Sequence, residues 1–177
     1  RANCLAASPN AALNALVNLQ DTLGSYLTLV TQNIDDLHER AGSREVVHMH
    51  GEIRQALCAA CDARWPTPVV MTVADRCPAC SAPGTRPDIV WFGEIPYHMD
   101  RIEDALMTAE LFVAIGTSGQ VYPAAGFVQA AKAVGAKTLE INLDPSDTSD
   151  QFESKLLGPA TQVVPAWVED FTKTLEA

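Results

Sequence analysis

Aromatic residues are scarce in this sequence: they make up 6% of the 177 residues, although 47% of the residues are hydrophobic. The hydrophobic core is therefore expected to be mostly aliphatic. Long apolar runs are absent as well, since no stretch approaches the roughly 20 apolar residues that a membrane-spanning helix requires. The length of 177 residues suits one domain of ordinary size with a small insert, and the lack of a long apolar run argues against a membrane partner.

Basic residues are also in short supply. The chain has 12 lysines and arginines against 22 aspartates and glutamates, a formal net charge of −10. An acidic surface repels phosphate backbones, which argues against nucleic-acid binding, and it suits basic partners such as lysine-rich segments. We expect a cytoplasmic setting. The sequence leaves the oligomeric state open, with a monomer favoured.

Glycine-rich phosphate loops are a further absence. The sequence contains neither G-x-G-x-x-G nor G-x-x-x-x-G-K-[ST], the two patterns that hold nucleotide phosphates. Either the protein binds no nucleotide, or such a loop lies ahead of the first residue in a longer chain. The pattern alone leaves both alternatives open.

What is present is an alternation of helical and strand patterns that indicates an α/β fold. A helix is predicted to start with Ser8 as its cap and Pro9 at its first position, and to end at Gly24. Apolar runs, typical of buried parallel strands, lie at residues 26–30 and 111–115, and a third long strand is predicted at residues 137–143. Residues 146–160 are expected to form a polar loop, and a short last strand is predicted at 162–164.

Polar residues follow the first predicted strand directly, and His50 follows a second short strand. In open α/β sheets, ligands bind just beyond the carboxyl ends of the strands. Gln32, Asn33, Asp35 and His50 are therefore candidate site residues. The alternative is structural, because such residues often only cap a helix or fill a turn. We favour His50 as the functional histidine and expect His48 to be packed.

Two later strands end in a similar way. Gly116, Thr117 and Ser118 follow one strand and could offer N–H and hydroxyl groups to a phosphate or ribose. Asn142 and Asp144 follow the next strand. Each group alone is equally consistent with a plain turn, but their repetition predicts a nucleotide laid across a Rossmann-like parallel sheet with helices on both faces.

The cysteines form the most specific motif in the chain. Cys58, Cys61, Cys77 and Cys80 give C-x-x-C-x15-C-x-x-C, a spacing typical of a tetrahedral structural zinc site. Two disulfides, or redox chemistry at one C-x-x-C pair, are the alternatives considered. Residues 55–87 are therefore predicted to be a small zinc-ribbon insert in a partial Rossmann-like domain formed by residues 1–54 and 88–177.

Taken in order, these motifs resemble the sirtuin family of NAD-dependent protein-lysine deacylases. The resemblance rests on Thr-Gln-Asn-Ile-Asp at 31–35, His-Met-His-Gly at 48–51, the paired C-x-x-C, Val-Trp-Phe-Gly-Glu at 90–94 and Gly-Thr-Ser at 116–118. The run from 116 to 125 is similar to the bacterial branch grouped with desuccinylases and demalonylases. The resemblance covers nearly the whole chain.

The resemblance implies a role for each matching residue. His50 is expected to be the general base that activates a ribose hydroxyl of NAD, with Asn33 and Asp35 shaping the catalytic pocket. The products are expected to be nicotinamide, O-acyl-ADP-ribose and deacylated lysine. Residues expected to contact NAD are Gln32, Asn33, Ile34, Asp35, Gly116, Thr117, Ser118, Asn142, Leu143, Asp144 and Ala160. Residues expected to bind the acyl-lysine peptide as an added strand are Val90, Trp91, Phe92, Gly93 and Glu94.

The chain departs from the family pattern at its front. The family's phosphate loop on the first strand and the Tyr-x-x-Arg pair of the desuccinylase branch are both absent from these 177 residues. We therefore expect the chain to be a fragment, truncated at its N-terminus, that turns over little substrate alone. The alternatives are a zinc-stabilised module that binds acyl-lysine peptides without catalysis and, ranked last, a zinc-containing nicotinamide dehydrogenase.

Overall fold

The computed structural model describes residues 2–67, 69–72 and 74–175. The helices along the chain are α1 (Ala2–Ala6), α2 (Ala11–Leu23), α3 (Leu37–Ala41), α4 (Met99–Met107), α5 (Phe127–Ala133) and α6 (Ala160–Leu175). The strands are β1 (Val30–Thr31), β2 (Val47–His48), β3 (Gly51–Cys58), β4 (Arg64–Pro66), β5 (Thr85–Ile89), β6 (Leu111–Ile115), β7 (Lys137–Asn142) and β8 (Ser154–Leu157). Among the helices described, none is both long and apolar enough to cross a membrane.

The chain divides into two compact units, of which the first comprises residues 1–9 and 29–99. In this unit β1 pairs in parallel with β2, and α3 lies between them in sequence. Gly42 ends α3 with a positive φ of 112°, as expected for a left-handed C-cap. A second sheet, in the order β4-β3-β5, is antiparallel and carries the cysteine-rich insert.

The second unit comprises residues 10–28 and 100–177. Its three strands run parallel in the order β6-β7-β8, with α5 against β6 and β7 and α6 against β7 and α2. Aliphatic side chains fill its core, including Leu19, Ile141 and Val164. The predicted α/β fold class is confirmed by these parallel strands and the helices packed on them.

The start of this region differs from the prediction at two points. The cap of α2 is Asn10, not Ser8, because the Asn10 side chain accepts hydrogen bonds from the Ala12 and Leu13 amides at 3.0 and 3.1 Å. The predicted strand at 26–30 is also too long. Residues Gly24–Tyr26 form a 3-10 turn that leaves Tyr26 92% exposed, so that pairing begins only near Val30.

Two predictions for the C-terminal part of the chain are wrong. Residues 146–160 contain a strand, β8, that extends the parallel sheet beside β7. The predicted strand at 162–164 is instead the second turn of α6, whose Val164 and Val168, four residues apart, are both buried. A short apolar run fits either a strand or one face of a helix, and here the helical spacing decides.

Candidate functional site

His50 lies just beyond the end of β2, and its ring is held by one backbone contact. Its Nδ1 atom is 3.0 Å from the carbonyl oxygen of Gln32, which follows β1. A carbonyl oxygen only accepts, so this contact assigns the ring proton to Nδ1 and leaves the lone pair of the neutral imidazole on Nε2. The pairing of β1 with β2 thus presents a half-buried histidine with a free basic nitrogen.

The polar loop after β1 lies directly against this histidine. The Met49 amide donates to the Thr31 carbonyl at 3.1 Å, which continues the β1–β2 pairing up to His50. Asn33 has an exposed side chain. Asp35 is half-buried and accepts from the Leu37 amide at 3.0 Å, so one of its oxygens opens α3. Asp35 therefore has a structural role at the start of α3.

Two other histidines of this unit, His48 and His38, are packed inside it. His48 is 7% exposed, and its Nε2 atom lies 2.7 Å from a carboxylate oxygen of Glu39 on α3. His38 is 8% exposed, and burial lowers its pKa against the opposing effect of the Glu39 and Asp35 carboxylates. The expectation that His48 is packed is confirmed by its burial, and the functional role of His50 stays a prediction.

Gly51 is the residue that allows the chain to turn after His50. Its φ is +77°, and a Cβ atom added there would lie 2.9 Å from the Ile89 Cα and overlap the Asp88 carbonyl oxygen. We expect the substitution Gly51→Ala to lower the free energy of unfolding by about 2–4 kcal/mol, because it adds backbone overlap to backbone strain. Urea denaturation followed by circular dichroism measures the change.

Gly84→Ala is the matched control for this prediction. Gly84 has a comparable φ of +92°, but an added Cβ would meet nothing within 4 Å. The Gly84→Ala variant therefore has backbone strain but no overlap, and its free energy of unfolding is expected to fall by about 1 kcal/mol. Equal losses in the two variants would contradict the proposed close approach of β3 and β5 at Gly51.

The loop at residues 90–94 starts at the backbone of His50, where the Val90 amide donates to the His50 carbonyl at 2.9 Å. Phe92 is 99% exposed and Trp91 is 52% exposed, so the loop presents aromatic surface. Gly93 turns the chain with a φ of +90°. Glu94 accepts from the Trp91 amide at 3.0 Å and closes the loop.

A charged residue that the sequence analysis missed holds this loop. Arg86 on β5 donates to both carboxylate oxygens of Glu94 at 2.6 and 2.7 Å, and to the Ile89 carbonyl at 2.7 Å. The Arg86 guanidinium and the Trp91 amide lower the pKa of Glu94 to about 2. An ionised Glu94 therefore keeps the loop closed at neutral pH. The only sequence signal was an arginine shortly before the aromatic run.

The second unit brings its own candidate residues to one edge of the parallel sheet. The Asn142 side chain donates to the Thr117 carbonyl at 2.7 Å and accepts from the Leu143 amide at 3.0 Å, which joins the ends of β6 and β7. The Gly158 amide donates to the Asn142 carbonyl at 2.9 Å, which places Ala160, the start of α6, at the same edge. Asn142 thus orders the edge, and Gly116, Ser118 and Asp144 are exposed there.

A buried carboxylate, that of Glu140, holds the loop that follows β7 at this edge of the sheet. Glu140 on β7 is fully buried and accepts hydrogen bonds from the Ser146 amide at 3.0 Å and from the Ser149 hydroxyl. Burial alone would raise the pKa of Glu140, but these hydrogen bonds outweigh it and lower the pKa. The loop after Asp144 is therefore held in place by an ionised side chain.

The four cysteines of the insert converge, as predicted. Their sulfur atoms all lie within 4.8 Å of one another, and the Cys58–Cys80 and Cys61–Cys77 pairs are each 3.7 Å apart. A disulfide would require a separation of about 2.05 Å. A tetrahedron with zinc–sulfur bonds of about 2.3 Å has edges of roughly 3.8 Å. The cluster therefore fits four thiolates around one zinc ion.

The two knuckles of this cluster have matching backbone geometry. The Ala60 amide points at the Cys58 sulfur and the Ala79 amide at the Cys77 sulfur, each at 3.4 Å. Burial raises the pKa of Cys77, but the amides of Cys80 and Ala79 outweigh it and lower the pKa to about 7. A thiol that ionises near neutral pH suits a metal ligand.

The chain was compared with protein families and with known proteins, and both comparisons found clear similarities. The model of the Sir2 family matches residues 1–123. An NAD-dependent protein deacylase of Caulobacter vibrioides is 56% identical over 173 residues, covering 96% of this chain and 73% of the relative. An NAD-dependent protein deacylase of Escherichia coli K12 is 52% identical over 170 residues. That match covers 96% of this chain and 61% of the relative, so the chain spans less than two thirds of the latter's length.

Solved structures agree with these relatives. A Sir2 homologue in complex with NAD superposes with a TM-score of 0.86 at 35% identity, over 95% of this chain and 66% of that one. Sir2Af2 bound to a myristoylated histone peptide gives a TM-score of 0.79 at 32% identity, over 96% and 74% of the two chains. The predicted Rossmann-like fold is confirmed by both, and the chain belongs to the Sir2 family.

Proposed function

We propose that the protein carrying this chain is an NAD-dependent protein-lysine deacylase that releases nicotinamide, O-acyl-ADP-ribose and deacylated lysine. The observation that carries the proposal is the contact between His50 Nδ1 and the Gln32 carbonyl, which leaves Nε2 basic. The names of the bacterial relatives and the structure of a family member with NAD support the same activity.

His50 has the properties of a general base in this reaction. The lone pair on Nε2 can accept a proton. A general base of this kind takes a proton from a substrate hydroxyl as that hydroxyl attacks. The Gln32 contact keeps the required tautomer, and the strand pairing next to His50 keeps the ring in place.

We propose two groups of NAD contacts, each described within its own unit. NAD supplies the ADP-ribosyl group that accepts the acyl group. Gln32, Asn33, Ile34 and Asp35 follow β1 beside His50 and are assigned to the nicotinamide and its ribose. Gly116, Thr117, Ser118, Asn142, Leu143, Asp144 and Ala160 lie at the edge of the second unit's sheet and are assigned to the rest of the dinucleotide.

The acyl-lysine peptide is assigned to the loop at 90–94. The hydrogen bond from the Val90 amide to the His50 carbonyl supports a peptide site next to the proposed base. The net charge of −10 favours lysine-rich targets. We propose removal of acetyl, succinyl or malonyl groups, with succinyl and malonyl supported by the run at 116–125. We further propose a cytoplasmic monomer whose zinc site is structural, with the four cysteines as ligands.

The deciding experiment measures nicotinamide release by the product of the whole gene. Acetyl-, malonyl- and succinyl-lysine peptides of one sequence are incubated with NAD, and nicotinamide is quantified by liquid chromatography. We expect release that depends on both the acyl group and NAD. Peptide binding with no nicotinamide from any of the three peptides would overturn the proposal in favour of a non-catalytic binding module.

A further inference from the structure

Asp88, at the end of β5, is a buried carboxylate that belongs to none of the sequence motifs. It is 5% exposed, and each of its oxygens has a partner. The Tyr97 hydroxyl donates to one oxygen at 2.8 Å, and the Arg64 Nε donates to the other at 2.8 Å. The Arg64 guanidinium also lies over the Tyr97 ring, 5.5 Å from its centre. A buried charge persists only where such partners satisfy it.

The residues next to this network hold the backbone around His50. The Tyr97 amide donates to the Met49 carbonyl at 2.9 Å, and the Val90 amide donates to the His50 carbonyl at 2.9 Å. Val90 and Tyr97 stand at the two ends of the segment 90–97, which contains the candidate peptide-binding loop. Asp88 precedes this segment and binds the side chain that ends it. The Asp88–Tyr97 hydrogen bond therefore closes the segment into a loop whose first end is bonded to the His50 carbonyl and whose last end is bonded to the Met49 carbonyl.

The protonation of Tyr97 suits this arrangement. Burial, and then the neighbouring Asp88 carboxylate, raise the pKa of the Tyr97 hydroxyl above its ordinary value. The hydroxyl therefore stays protonated at neutral pH and donates to Asp88. Hydrogen bonds to a charged acceptor are stronger than those between neutral groups.

We propose that Asp88 and Tyr97 are positioning residues for the acyl-peptide substrate, because their hydrogen bond fixes the two ends of the segment 90–97 against the backbone of Met49 and His50. The inference rests on the proposed function, which it deepens, since it names residues that set peptide affinity without touching the reacting atoms. NAD affinity is expected to be independent of this contact.

The substitution Tyr97→Phe removes the hydroxyl and keeps the ring. For the whole gene product, we expect it to raise the KM and the Kd for an acyl-lysine peptide roughly five- to tenfold. The KM for NAD should stay within about twofold. Asp88→Asn should act in the same direction. The peptide Kd of the double variant should be at most about twofold higher than that of the weaker-binding single variant, because the two substitutions remove the same hydrogen bond.

Tyr26→Phe is the matched control, because Tyr26 is 92% exposed and the same atom is removed. Peptide Kd is measured by fluorescence anisotropy of a labelled acyl-lysine peptide, which requires no turnover. Absent nicotinamide release therefore counts against the proposed function alone. A Tyr97→Phe peptide Kd within twofold of the wild-type value would overturn this inference. Equal losses of peptide and NAD affinity, or no peptide binding by the wild type, would overturn it as well.

Discussion

Replacing His50 with asparagine is expected to lower kcat/KM for the acyl-lysine peptide by about 10²- to 10⁴-fold, the usual range for loss of a general base. The side-chain amide of asparagine can still donate to the Gln32 carbonyl, which now receives Nδ1–H at 3.0 Å. The variant therefore keeps a partner for that carbonyl and loses the basic nitrogen. Steady-state nicotinamide release at saturating NAD measures the effect.

His98→Asn is the matched control. His98 is exposed and has a positive φ of 59°, a conformation that asparagine tolerates well. Its activity should stay within about twofold of the wild-type value. The His50 variant should still bind the labelled peptide, because the loop at 90–94 meets the backbone of residue 50 and not its ring. Wild-type turnover by His50→Asn would rule out its role as the base.

The local pattern was sufficient to predict that His50 follows the end of a strand. An apolar run that stops at polar residues marks the end of a buried strand, and parallel strands bring such ends to one edge. The structure pairs Val30 with Val47 and Thr31 with His48, so the ends of β1 and β2 meet. The cysteine spacing was equally informative, because two tight knuckles leave four sulfurs few arrangements other than a shared metal.

Local pattern failed where two structures compete for the same residues. The run at 162–164 suits a strand, but Val164 and Val168 are buried on one face of α6, which packs against α2. That preference comes from a helix about 150 residues earlier in the chain. Ser8 and Asn10 are both good caps, and only the contacts with the Ala12 and Leu13 amides decide between them.

The side-chain contacts around the loop at 90–94 could not be predicted either, because they also depend on pairing between distant parts of the chain. Arg64 and Asp88 are separated by 24 positions and meet because β3 pairs with both β4 and β5. An isolated arginine, aspartate or tyrosine carries no sequence signal of a partner. The motifs therefore predict which residues face a ligand, and the sheet pairing determines which residues hold them there.

Loss of metal is expected to unfold the insert at residues 55–87. Its buried apolar residues, among those the structure describes, are Ala56 and the two cysteines Cys58 and Cys77. A segment of this size without a larger core needs another source of stability. Binding of structural zinc supplies about 10–16 kcal/mol in small zinc modules, which is comparable with the whole stability of a domain. Cys77→Ser should therefore abolish zinc binding and expose the insert to protease.

The measurement combines zinc content by mass spectrometry with limited trypsin digestion. We expect about one zinc ion per wild-type chain and, after chelation or in Cys77→Ser, rapid cleavage after Arg76, which is exposed between the two cysteine pairs. Cys4→Ser is the matched control, because Cys4 lies outside the cluster. Its backbone carbonyl accepts a hydrogen bond from Arg40, and the substitution keeps that carbonyl. Unchanged digestion of a zinc-free chain would show that the β4-β3-β5 sheet holds the insert without metal. The 3.7 Å sulfur separations argue against that outcome, since they match the edge of a tetrahedron of four sulfurs around one zinc ion.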